Sequence, residues 1–176
     1  MEIKIRQEKP EDHQEVFELI RETFLQESNS DHQEHFLVNR LRKSSYFLPQ
    51  LSLVAEYDHK IVGYVLLIRI TIQNDKDKFP ALALAPIAVL PNFQQKGIGS
   101  KLLSIVHKKA KNLDYELVIV LGHEEYYPRF GYEQANKFDI QAPFEVPAKN
   151  FMLKELTPNA AQHISGMVVY PEVFHI

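Results

Sequence analysis

The chain has 176 residues, no cysteine, a formal net charge of -3 at pH 7 and a pI near 6.2. A single domain of this length buries roughly 70% of its unfolded surface and needs no staple, and the missing thiol removes disulfide frameworks, thiolate nucleophiles and cysteine zinc sites. The acidic balance argues against broad nucleic-acid binding, no apolar run approaches the roughly 20 residues of a membrane span, and Met1 to Lys9 does not read as a signal peptide, so the expectation is a cytoplasmic protein without a membrane partner.

IKIR opens the chain as a short alternating strand. Pro10 suits the first turn of a helix whose inward face is Val16, Phe17, Ile20 and Phe24. Asp31 and Glu34 have capping-box spacing for a second helix carrying Phe36, Leu37 and Leu41. LSLVAEY, the turn Asp58-His59-Lys60 and IVGYVLLIRI predict a hairpin whose second strand is buried on both faces. Beyond the polar loop Asp75 to Lys78, ALALAPIAV is a further strand. Pro86 within it lacks an N–H, so this strand should bulge or part from a neighbour, or else lie at an edge.

LPNFQQKGIGSKLL follows. Its two glycines lie two residues apart just ahead of a helix with Ile98, Leu102, Leu103, Val106 and Ala110 inward. A strand, a glycine loop and a helix N-terminus together present free N–H groups to an anion, and glycine removes the Cβ at the points of closest approach. Gly97 and Gly99 are therefore where backbone would meet a pyrophosphate; a tight turn with glycines for steric reasons is the alternative. The glycine spacing fits neither a Walker loop nor a dinucleotide fingerprint, which disfavours ATP and NAD. ELVIVLG is the next strand, then an aromatic turn or helix at Glu124 to Phe130, a strand around Tyr132 to Ile140 and another at Phe151 to Leu156. Residues 141–176 read as a C-terminal extension of one domain spanning 1–176, apolar enough to require packing on the core or against a second copy in a homodimer.

Gln94-Gln95-Lys96-Gly97-Ile98-Gly99 resembles the acetyl-CoA loop of the GNAT superfamily of N-acetyltransferases at every position. Val89-Leu90-Pro91 lies just upstream, and Tyr127-Pro128-Arg129-Phe130-Gly131-Tyr132 matches the superfamily's second element. GHEEYYPRFGY and LAPIAVLPNFQQKGIG together are similar to the YhbS-like branch. The resemblance implies an α/β (α+β) fold: a mixed, mostly antiparallel sheet with helices on both faces and a splayed central strand pair. It implies acetyl-CoA as co-substrate and a small-molecule or protein amine as acceptor. Ile87, Ala88 and Val89 would meet pantetheine and acetyl, and Gln94, Gln95, Lys96, Gly97, Ile98, Gly99 and Ser100 the pyrophosphate. Tyr127 would be the acid that protonates the leaving sulfur, with Tyr126 at a position usually apolar in the superfamily.

The amine must lose a proton before attack, since lysine-like amines have a pKa of about 10.4. The carboxylate that many relatives carry on the ALALAPIAV strand is absent, which leaves His123, Glu124, Glu22 or a water chain to take that proton. His123 and Glu124 are adjacent and lack the i, i+4 partner of a zinc motif, so no metal is expected. The missing carboxylate also keeps open a non-catalytic acyl-CoA sensor. The lysines at 108, 109 and 111 raise an RNA-binding reading that the net acidity disfavours.

Overall fold

The computed structural model describes residues 1–175. In chain order the elements are β1 (Lys4–Gln7), α1 (His13–Phe24), α2 (Glu34–Arg42), β2 (Phe47–Tyr57), β3 (Lys60–Gln73), β4 (Lys78–Val89), α3 (Ile98–Asn112), β5 (Leu117–Leu121), β6 (Glu133–Gln134), β7 (Ile140–Gln141), β8 (Phe151–Glu155) and β9 (Gly166–Val169). They build one sheet in the order β1-β2-β3-β4-β5-β8-β6, with β9 paired to β3 and to β7. The pairings are antiparallel except β4 with β5 and β7 with β9.

Asp58 (φ 50°) and His59 (φ 63°) supply the two positive φ angles of a tight hairpin turn between β2 and β3. The β3 run Ile61 to Ile68 is buried at every position, as its unbroken apolar sequence requires of a strand covered on both faces. Helix α3 lies against one face so closely that a Cβ on Gly63 would stand 3.1 Å from Leu102 Cδ1 and 3.2 Å from Ile98 Cγ2. Gly63 admits that approach by having no side chain. Its neighbour Tyr64 points to the other face, where its hydroxyl pairs with Ser52 Oγ at 2.6 Å. Ser52 donates to Glu8 Oε1 at 2.9 Å, and Arg42 Nε of α2 donates to that same oxygen at 3.0 Å. Helices therefore cover both faces, and this buried ion pair has its hydrogen bonds satisfied, the condition for carrying charge into a core.

Expectations change for α2 and for the segment Tyr132 to Ile140. The inward face of α2 is His35, Val38 and Leu41, while Phe36 is 46% exposed. It meets Phe17 edge-on with centroids 5.5 Å apart. Asp31 does not cap that helix; its Oδ1 accepts from the Gln33 N–H, and Glu34 accepts from the Ser30 hydroxyl. The strand expected over Tyr132 to Ile140 is two short ones, β6 and β7, separated by a 3-10 turn at Ala135–Phe138 that ends at Asp139 with φ 58°. The expected C-terminal extension contributes to the sheet itself, since all five residues of β8 pair with β5.

Candidate active site

The centre of the sheet is held open. Parallel pairing of β4 with β5 is confined to Leu82 with Val118 and Ala83 with Ile119, and from there the strands diverge. On its other side β4 stays paired with β3 as far as Val89, with a register shift that falls at Ala85 and Pro86. Pro86 is buried and has no N–H to give, and the β3–β4 ladder loses its regular register there. The N–H of Leu90 donates to the Val62 carbonyl at 2.9 Å. By the alternation of an antiparallel ladder, the backbone groups of Ala88 then face β3, and those of Ile87 and Val89 face the opening.

The loop after β4 prepares the helix start. Gln95 (φ 62°) and Gly97 (φ 82°) are left-handed, and Gly97 is the N-cap of α3. The first α3 backbone bond is donated by Lys101 to the Gly97 carbonyl at 3.0 Å, so Ile98, Gly99 and Ser100 begin the helix with N–H groups that have no intrahelical partner. Gln94 to Gly97 and Ser100 are exposed, Gly99 is half-buried and Ile98 is buried in the core. The Gln94 side chain donates Nε2 to the Val89 carbonyl at 3.0 Å. It ties the loop back to the end of β4.

Glycine is needed twice here for different reasons. A Cβ on Gly97 would meet nothing within 4 Å, so its requirement is the positive φ and open space in front of the loop. A Cβ on Gly99 would stand 2.7 Å from Tyr126 Oη, with Ile87 Cδ1 and Val89 Cγ2 each at 3.9 Å. Tyr126 thus reaches across from beyond β5 to the loop on the α3 face. Together these features fit a pyrophosphate on the loop and a slender arm along Ile87 and Val89.

Tyr127 lies in the 3-10 turn Tyr127–Phe130 and is 8% exposed. Its ring is packed edge-on to Tyr126 at 5.0 Å and to Tyr132 at 5.5 Å. Tyr132 Oη is bonded to His107 Nε2 of α3 at 2.8 Å. Burial, with a smaller contribution from Lys154, lowers the His107 pKa to about 4, so the imidazole is neutral at pH 7. Burial raises the Tyr127 hydroxyl well above the ordinary phenol value, with Tyr126 adding to the shift. Its proton is retained at neutral pH.

A further glycine sets this ring, and sequence reasoning missed it. A Cβ on Gly122, just past β5, would lie 2.3 Å from Tyr127 Cε2. Gly122→Ala should push the buried ring aside, with an overpacking cost of about 1 to 3 kcal/mol and a fall in melting midpoint of about 2 to 4 °C per kcal/mol. Thermal denaturation of the variant beside wild type would reveal that cost.

His123 is exposed, and with Glu124, Glu125, Tyr126 and Arg129 it lines a cavity of about 370 Å³. Glu124 is engaged: Asn150 Nδ2 donates to its Oε2 at 2.8 Å and Lys149 Nζ lies 3.3 Å from its Oε1. Its own backbone N–H, then Asn150 and Lys149, hold that carboxyl below the usual range. Glu22 is exposed on α1, while its neighbour Thr23 faces the site, with Oγ1 3.5 Å from the Val89 carbonyl. On the face opposite α3, Leu121 at the mouth of the opening is 48% exposed beside its cross-strand partner Phe151. Phe144 packs edge-on to Phe151 at 6.3 Å and stacks on Tyr170 at 6.0 Å, giving an apolar wall. Among the described residues no group of three or more His, Asp or Glu is placed to hold a metal ion, and no helix is long and apolar enough to cross a membrane.

Comparison with known proteins agrees with this geometry. Residues 4–135 match the model of the acetyltransferase (GNAT) domain. The uncharacterised N-acetyltransferase YjhQ of Escherichia coli (strain K12) is 35% identical over 125 residues, 69% of either chain. The uncharacterised N-acetyltransferase YhbS of the same strain is 28% identical over 172 residues, 97% of this chain and 98% of its own. A crystal structure of E. coli YhbS in complex with CoA superimposes with a TM-score of 0.89 at 27% identity, covering 99% of this chain and 92% of that one. A GNAT acetyltransferase of Brucella melitensis in complex with acetyl-CoA gives a TM-score of 0.80 at 26% identity over 98% of each chain. With its strands parted beside a glycine loop and a family match over most of its length, the chain belongs to the GNAT acetyltransferases, on the YhbS-like side of that family.

Proposed function

We propose that this protein transfers an acetyl group from acetyl-CoA to a primary amine by direct attack, in the opening between β4 and β5. The observation that carries the reading is the parting of those strands next to a loop of unpaired N–H groups at Gly97 to Ser100. Acetyl-CoA supplies the activated acyl group as a thioester. The loop backbone holds its pyrophosphate, and the sides of Ile87, Ala88 and Val89 that face the opening hold the pantetheine arm. Negative charge that develops on the carbonyl oxygen is received by the outward N–H of Ile87, a fixed donor that needs no reorganisation. Tyr127 gives its proton to the departing sulfur, a role suited to a phenol that burial keeps protonated.

Strand β4 has no carboxylate, so the proton of the attacking amine passes to His123 or to solvent water. The acceptor enters on the face opposite α3, along Leu121 and the aromatic wall of Phe144 and Tyr170, with its amine toward the opening. Thiol release from acetyl-CoA, measured against a panel of small amines and lysine peptides, tests the reading. Amine-dependent release is expected. Tight acetyl-CoA binding with no release against any acceptor would instead favour the non-catalytic sensor.

A further inference from the structure

Resting on the cofactor reading above, we infer that Arg129 is a phosphate contact of the co-substrate, delivered to the loop side of the opening by the ring of Tyr126. Its guanidinium carbon lies 4.8 Å from the Tyr126 ring centroid and 5.4 Å from that of Phe130. The hydroxyl of that same Tyr126 ring is the atom that would touch a Cβ on Gly99. One tyrosine therefore spans from the glycine loop to the guanidinium, and both residues line the same cavity of about 370 Å³.

The cation is positioned but not neutralised. Among the described residues Arg129 takes part in no salt bridge, although Glu124 and Glu125 line the same cavity. Glu124 is held by Asn150 and Lys149. The hydrogen bond that Arg129 does make is from Nε to the Tyr126 carbonyl at 3.4 Å, on the backbone of its own turn. Stacking on two rings fixes the plane of the guanidinium, and its terminal N–H groups stay free in the fork geometry that suits phosphate oxygens. A second cavity of about 180 Å³ is lined by Lys96, Gly97, Ile98 and Lys101, and one N–H of Lys101 Nζ donates to the Ile3 carbonyl at 3.0 Å. Arg129 is a planar cation on the ring that reaches the loop, with donors to spare.

The test is calorimetric titration of wild type, Arg129→Ala and Arg129→Lys with acetyl-CoA, 3′-dephospho-acetyl-CoA and S-acetylpantetheine. Arg129→Ala should weaken acetyl-CoA by about tenfold or more, as expected for a hydrogen bond to a charged group. Arg129→Lys should recover part of the loss, S-acetylpantetheine should bind all three proteins alike, and the melting midpoint without ligand should stay within a degree or two of wild type. Loss that persists with the dephospho compound assigns Arg129 to the pyrophosphate; loss that vanishes with it assigns the 3′-phosphate. Equal acetyl-CoA affinity in wild type and Arg129→Ala overturns the inference. So does an equal loss for S-acetylpantetheine, which would make Arg129 a prop for Tyr126. Failure of wild type to bind any of the three would instead remove the cofactor reading itself.

Discussion

Gly97→Val should weaken acetyl-CoA binding by about 10²-fold or more while leaving a folded protein. At φ 82° with nothing within 4 Å of a Cβ position, the substitution creates no clash inside the molecule. Its cost in the free protein is the strain of a β-branched residue in the left-handed region, about 1 to 2 kcal/mol, a fall of a few degrees in melting midpoint. The new side chain would stand in the open space before the loop. Two charge-assisted hydrogen bonds lost at about 1.5 to 3 kcal/mol each weaken binding by about 10²-fold or more. Calorimetry and thermal denaturation on the same sample separate the two effects. A folded variant that binds acetyl-CoA as wild type does would place the phosphates elsewhere.

Tyr127→Phe should lower kcat by about 10²-fold near pH 7, with little change in stability or acetyl-CoA affinity. The ring and its contacts with Gly122, Tyr126 and Tyr132 survive the change, and only the proton donor is removed. Because burial raises the pKa of this hydroxyl, the acid form is present throughout the neutral range and the defect should not be masked there. At alkaline pH it should shrink, since a thiol with a pKa of about 8.5 leaves unaided as its anion. Tyr126→Phe is the matched control: it keeps the ring under Arg129 and removes only the hydroxyl that touches Gly99, so kcat should hold. If Tyr126→Phe loses turnover and Tyr127→Phe does not, the two tyrosines exchange roles.

The glycine loop and the parted strands were legible because they are written in local rules. Two glycines ahead of an amphipathic helix and a proline inside an apolar strand announced the loop and the parted strands, and α3 buries the residues its periodicity selects. Features set by a side chain's direction or by a distant contact were not. The inward turn of His35 and Val38 rather than Phe36 and Leu37 is set by how α2 packs on the rest of the core, which local periodicity does not specify. The break between β6 and β7 is a left-handed turn at Asp139, where the apolar pattern continues through the turn and hides it. Gln94 matches the family motif, yet its bond to Val89 appears only when the loop is folded back on β4. Gly122 is only the last residue of the ELVIVLG strand in the sequence, whereas in the fold Tyr127, five residues on, occupies the space of its missing Cβ.

A crystal structure of the protein with acetyl-CoA bound is the most direct test of the central claim. The account predicts the pantetheine arm between β4 and β5 alongside Ile87 and Val89, the pyrophosphate on the N–H groups of Gly97 to Ser100, and the sulfur within hydrogen-bond reach of Tyr127 Oη. Electron density for the co-substrate outside the β4–β5 opening, or a sulfur with Tyr127 beyond reach of it, would contradict it.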